Sequence, residues 1–403
     1  MIGVPGVQVV ECVDVRAIHA WLVEHTPEMV DDLVVLANLE TPSDDLELLQ
    51  QGLAHVEHWV TERLGRPDAR SLFTSDQYGA VLVLDYEGQG EKRIICLGHY
   101  DTVYDAGTLT SWPVEVHGDK ISGPGVFDMK GGLVQAVWAL RALSNRGIAR
   151  PSVRLVLNGD EEIGSPFSRP LLEEASAGAA AVLVFEASAD GALKTARKGV
   201  GLFELTATGI EAHSGLNPEL GASAIHELAR AITILHEGAD LSRGTSINAG
   251  VVSGGTRANV TAGFARAKLD IRVSNPQEQE RVDGLLASLT PTDDRVNLDV
   301  LGEWNRPIMM RTDAIERMYV LARAVGHEIG LDIAEVAVGG ASDGNFLAAL
   351  GIPVLDGIGA VGSGAHARHE NVRVAGMVER AALAAGILAA FSVGADKLPM
   401  CER

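Results

Sequence analysis

Three cysteines in 403 residues are too few, and odd in number, for a disulfide framework. Cys12, Cys96 and Cys401 also lack the close spacing of a metal knuckle, and Cys96 sits inside the apolar run IICL, so the chain reads as a protein of a reducing compartment. Positive charge is scarce as well: 33 Lys and Arg stand against 54 Asp and Glu, a net charge of −21. With no basic patch in view, nucleic acid and anionic membrane are excluded as expected partners. The opening MIGVPGVQVVECVDVR has neither the basic start nor the apolar stretch of a secretory leader, and a cytoplasmic protein is expected. Long hydrophobic runs are missing too. The most tempting, AALAAGILAAFSVGA (381–395), falls short of the roughly 20 residues a helix needs to cross a bilayer and predicts a buried C-terminal helix. Internal repeats and low-complexity tracts are absent.

The length predicts two domains. Residues 15–65 place apolar side chains three and four apart, the period of helices. Short apolar runs then alternate with helical stretches: AVLVLDY, RIICLGHYD, GGLVQAVWALRALSNRG, VRLVLNGDEE, SRPLLEEASAG and AAVLVFEAS. That alternation predicts an α/β fold with a mainly parallel, helix-covered sheet. From about residue 198 the order changes to strand, helix, strand, strand, helix, strand, which is the ferredoxin-like pattern. The α/β texture then resumes. The expected domains are 1–196 with 304–403, and an insertion at 197–303.

LVLNGDEEIGSP (155–166) sets Glu161 and Glu162 side by side where a strand ends. Alone, this is most simply a solvated acidic turn. His99 and Asp101 follow RIICLG, however, and Glu186 follows AAVLVF, so all five groups fall at strand ends along one edge, where open α/β sheets build their sites. Asp128, in the glycine-rich GPGVFDMKGG before a helix, reaches the same edge. An imidazole among carboxylates suits zinc, with cobalt or manganese as alternatives. Two neighbouring ions need a bridging carboxylate, for which Asp128 is the candidate, and Asp101 is placed to accept the ring proton of His99.

GHYDTV, GPGVFDMKGG, NGDEEIGS and VFEAS, in this order, resemble the zinc hydrolase family of acetylornithine deacetylases, succinyl-diaminopimelate desuccinylases, aminoacylases and glutamate carboxypeptidases. GIEAHSGLNPELGASAIHELA and GGASDGNFLAALGIPVLDGIGAVGSGAHARHENV are most similar to bacterial glutamate carboxypeptidases. The resemblance covers nearly the whole chain. It implies a zinc-exopeptidase fold whose inserted α+β domain forms a homodimer, with two zinc ions per subunit. His99 and Glu186 would bind one ion, Glu162 and His366 the other, with Asp128 bridging and a cis peptide between Asp128 and Met129. Glu161 becomes the general base, which gives the adjacent glutamates separate tasks. His366 is preferred to His369, which reads as a surface residue, although the family pattern lacks a histidine before Glu370.

The resemblance further implies that His213 stabilises the oxyanion in the partner subunit's site, and that Asn259 and Arg306 hold the substrate's free carboxylate, with Arg272 a weaker candidate. A guanidinium suits bidentate carboxylate recognition. The expected reaction is hydrolysis of the amide in an N-acyl amino acid or short peptide, next to a free C-terminal carboxylate. A deacylase or aminoacylase, release of ammonia from an unusual amide or arylamine, and a non-catalytic peptide-binding relative are the alternatives. Glu161 speaks against the last, since a binder needs no base beside a complete ligand set.

Overall fold

The computed structural model of the protein describes residues 13–89 and 92–392. Cys12, Cys401 and residues 393–395 of the apolar C-terminal stretch lie outside them. The chain divides into two compact units, 1–195 with 311–336 and 350–403, and 196–310 with 337–349. The second unit differs from the expected 197–303 in two ways: its strand Asn297–Arg306 carries it past 303, and residues 337–349, expected in the first domain, belong to it.

In the first unit the helical period at the start of the chain becomes three helices, Val15–Glu24, Thr26–Ala37 and Leu46–Leu64. The Asp14 and Asp45 carboxylates accept the Ala17 and Leu48 N–H groups at 2.9 and 3.0 Å, which satisfies donors that the first turn leaves open. A six-stranded sheet follows, ordered Ala69–Phe73, Val81–Tyr86, Ser152–Asn158, Arg93–His99, Ala181–Val184 and Val354–Leu355. The last four run parallel, while the first two join antiparallel at one edge. The parallel strands are buried nearly throughout, so their apolar runs lack the alternation of a half-exposed sheet.

The helices Gly131–Asn145 and Val374–Ser392 are buried along almost their whole length. The second is long and apolar enough to cross a membrane, but 89% of its most apolar window is inside the fold. No other helix among the described residues meets that test. A Cβ at Gly132 or Gly359 would stand 1.9 or 2.0 Å from the Phe185 carbonyl oxygen. Glycine at both positions lets the backbone close around the strand end that presents Glu186. Cys96 is a free, fully buried thiol pushed up to about 12 by burial, and so is inert at neutral pH.

The second unit has a four-stranded antiparallel sheet, ordered Ser246–Gly254, Phe264–Val273, Gly199–Thr208 and Asn297–Arg306. The chain visits these strands with the helices Ala224–Glu237 and Pro276–Ala287 in ferredoxin-like order. Strand Phe264–Val273 alternates between exposed and buried positions, since only one face of this sheet packs on helices.

Candidate metal centre

Three parallel strands end at His99, Asn158 and Val184, and their continuations bring the acidic residues together. His99 is buried, with Nδ1 3.1 Å from the Asp101 carbonyl oxygen and 3.3 Å from its Oδ1. Its Nε2 faces Asp128 Oδ1 at 3.3 Å and Glu186 Oε1 at 3.4 Å. His366 Nε2 lies 3.1 Å from Glu162 Oε2 and 3.4 Å from Asp128 Oδ2. Asp128 thus touches both imidazoles. Ligand-capable atoms of His99, Asp128 and Glu162 lie within 4.8 Å of one another, and so do those of His99, Glu161 and Glu186.

Local structure holds these side chains. The fully buried Asp101 carboxylate accepts the N–H of Glu161 at 3.3 Å and of Glu162 at 3.2 Å, and the Ser43 hydroxyl at 2.7 Å. This caps the short 3₁₀ turn Glu161–Ile163, so that neighbouring glutamates project in fixed and different directions. His366 has φ 59°, a left-handed conformation that non-glycine residues rarely adopt, in a turn closed by Ala367 N–H to Gly364 O at 2.9 Å. His369 is exposed. The Asp128–Met129 peptide is cis.

Charge in this cluster is poorly balanced. Burial alone would lower the His99 pKa, but the carboxylates of Asp101, Asp128 and Glu186 hold it well above the ordinary value. Carboxylates of Asp128 and Glu162 push His366 up to about 11. Asp128 is held far below the usual carboxylate range by the two imidazoles despite its burial. Burial instead pushes Glu162 up to about 7, against the pull of His366. Its Oε1 is buried without a hydrogen-bond partner. An orphaned carboxylate oxygen among acids and imidazoles fits a divalent cation. Either pair, His99 with Glu186 or His366 with Glu162, can hold one together with Asp128.

The other expected site residues lie in the second unit. His213 is exposed, and its Nδ1 accepts the N–H of Gly215 at 3.1 Å and of Leu216 at 3.2 Å. In the neutral ring the proton therefore sits on Nε2, which makes this nitrogen the donor of an exposed side chain. Exposed Asn259 is beside it, its carbonyl accepting the Ser214 N–H at 3.0 Å. Arg306 is buried, 3.1 Å from Asp343 and 4.3 Å above the Phe346 ring. Arg272 makes a two-pronged contact with Asp270 at 2.9 and 3.0 Å and donates to the Gly339 carbonyl at 2.9 Å.

Three participants escape a reading of the sequence. Ser43 is 58 positions from Asp101 and carries no local signal. Tyr104 and Glu370 join across 266 positions, at 2.6 Å. Glu370 could have been found from its place four residues after His366, in AHARHENV.

Comparison with known proteins finds relatives along most of the chain. The chain is 28% identical over 387 residues to carboxypeptidase G2 of Pseudomonas sp. (strain RS-16), covering 93% of this chain and 91% of that one. It is 31% identical over 228 residues to acetylornithine deacetylase of Myxococcus xanthus, covering 53% of this chain and 58% of that one. In fold it is similar to a tripeptidase from Staphylococcus aureus, with a TM-score of 0.74 at 19% identity over 92% of this chain and 99% of that one. The profile of peptidase family M20/M25/M40 matches residues 95–390. With its hydrolase relatives and its acid and imidazole cluster, the chain belongs to peptidase family M20/M25/M40, whose members are metal-dependent hydrolases.

Proposed function

We propose that the protein is a cytoplasmic, homodimeric, two-zinc hydrolase that cleaves the amide of an N-acyl amino acid or short peptide next to a free C-terminal carboxylate. Glutamate carboxypeptidase is the leading subtype. The observation that carries the reading is the split between adjacent glutamates: Glu162 turns to His366 at 3.1 Å, while Glu161 groups with His99 and Glu186. His99 and Glu186 would hold one ion and Glu162 and His366 the other, with Asp128 in reach of both. When bound, such ions polarise the scissile carbonyl and ease ionisation of water.

Glu161 takes the proton from the attacking water and passes it to the leaving amine. Asp101 holds the Glu161 and Glu162 amides and the His99 ring, so base and ligands keep a fixed spacing. His213 donates its Nε2 proton to the oxyanion in the partner subunit's site. Dimerisation through the second unit is supported by its edge strand Ser246–Gly254, where Val251 and Val252 are 57% and 58% exposed. Asn259 and Arg306 hold the free carboxylate, with Asp343 and Phe346 fixing the Arg306 fork beforehand. Arg272, committed to Asp270, has the weaker claim.

The test is a hydrolysis screen of N-acyl and N-aroyl amino acids with zinc supplied, reading the released amino acid. Glutamate conjugates reacting first support the subtype. A preference set by the acyl group, whatever amino acid follows, moves the protein to the deacylases.

A further inference from the structure

Glu370 has no part in the scheme above, yet its carboxylate is fully buried and each oxygen has a defined task. Oε1 accepts the N–H of Phe127 at 2.8 Å and of Asp128 at 3.0 Å. Oε2 accepts the Tyr104 hydroxyl at 2.6 Å, which also lies 3.3 Å from the Ala367 carbonyl. Glu370 belongs to the turn that carries His366, closed by its own N–H to Ala367 O at 2.9 Å. One side chain therefore ties the His366 turn to the Asp128 loop, and the two residues' side chains stand 3.4 Å apart. Asp101 does corresponding work for His99, Glu161 and Glu162.

We infer that Glu370 is a positioning residue that sets the distance between Asp128 and His366, and so governs the metal position which those two share with Glu162. The inference rests on the two-metal reading. It weighs more on that position than on the other, because the other keeps His99, whose ring is held from Asp101. It is also a matter of reach and not of charge. A glutamine here keeps an oxygen for both N–H groups and an NH₂ for the Tyr104 oxygen, whereas an aspartate keeps the charge but is one methylene short of spanning them.

Metal-free wild type, Glu370→Gln, Glu370→Asp and Glu370→Ala are titrated with zinc against a chromophoric chelator, and the thermal midpoints of the metal-free proteins are recorded. Wild type and Glu370→Gln should bind two ions alike. Glu370→Asp and Glu370→Ala should bind one ion about 10- to 100-fold more weakly, the size expected for groups that orient ligands, and the other with a clearly smaller loss. His366→Ala should lose the same ion, and adding Glu370→Ala to it should produce no further loss. A general folding role would lower the midpoint and weaken both ions equally, which overturns the inference. So does full binding by Glu370→Asp and Glu370→Ala, or a loss in Glu370→Gln as large as in Glu370→Asp. Wild type that binds a single ion overturns the two-metal reading and the inference with it, and the wild-type arm alone tells that failure from the others.

Discussion

Two sets of buried acids in this molecule are treated in opposite ways. In the second unit Glu227 accepts the Thr292 N–H at 2.9 Å, the Asp293 N–H at 3.2 Å and Arg230 Nε at 3.2 Å, besides the Thr292 hydroxyl. Burial would raise its pKa, but these donors hold it down at about 2. Glu278 is likewise bonded by Arg281 and Thr245 and paired with Arg243. In the first unit Glu162 has one imidazole, an oxygen without a partner and a pKa pushed up by burial to about 7. All of these side chains are shielded from solvent, but Glu162 lies deeper in the fold and meets fewer donors. An acid supplied with hydrogen-bond donors and a paired guanidinium stabilises a fold, whereas acids crowded around too few donors leave room for a cation.

The sharpest way to break this contrast is to neutralise the two adjacent glutamates separately. Glu161→Gln should lower kcat by about 100- to 10,000-fold, the range of general acid and base catalysis, with metal content near wild type. Glu162→Gln should lose metal. Metal analysis of both variants beside their kinetics decides between the roles. Because Glu161 also groups within 4.8 Å of His99 and Glu186, metal loss in Glu161→Gln would make it a ligand and remove the proposed base.

That ambiguity marks how far the sequence could be read. Helix and strand order, the inserted ferredoxin-like pattern and the burial of Val374–Ser392 were legible because each depends on local periodicity and sheet edges. So was the convergence of His99, Glu161, Glu162 and Glu186, since parallel strands bring their ends to one edge whatever the spacing. Supporting partners were not. Ser43 on Asp101 and Tyr104 on Glu370 are contacts between distant loops, and no period encodes them. Nor did the sequence disclose that Arg306 would be buried against Asp343, because an arginine in EWNRPIM looks the same exposed or paired.

A second prediction asks whether the second unit, well satisfied within itself, still contributes to chemistry. His213→Ala removes the Nε2 donor and should lower kcat by about 100- to 1,000-fold with zinc retained. Mixing it with Glu161→Gln should restore part of the activity through hybrid dimers. A fully active monomer in sedimentation, or no rescue once subunit exchange is demonstrated, removes His213 from the mechanism.

Arg306 tests the boundary between the two kinds of site, being part of a satisfied ion pair that is also proposed to bind substrate. Losing a charge-assisted contact of roughly 2–4 kcal/mol corresponds to about 30- to 1000-fold in kcat/KM. Arg306→Ala should lose that much on free acids and little on substrates whose carboxylate is amidated. The same change takes the cation from a buried pair with Asp343, so a lower thermal midpoint is expected alongside. Wild type that cleaves amidated and free-acid substrates equally well has no carboxylate clamp and is a general amidase.

The smallest effect is expected at Glu227, and it belongs to stability alone. Its pKa of about 2 in the folded protein lies below the ordinary 4.5, so the unfolded chain binds the proton more readily. The stabilisation is complete above pH 4.5 and disappears as pH falls towards 2. Glu227→Gln should therefore lose about 1 kcal/mol at pH 7, the scale of a typical net hydrogen-bond contribution, with kcat unchanged. Thermal midpoints of wild type and variant, followed from pH 7 to pH 3, should converge as the acid protonates. A gap that stays constant with pH would mean that shape and packing at this position matter and charge does not, and the donors around Glu227 would then no longer explain why this buried acid differs from Glu162.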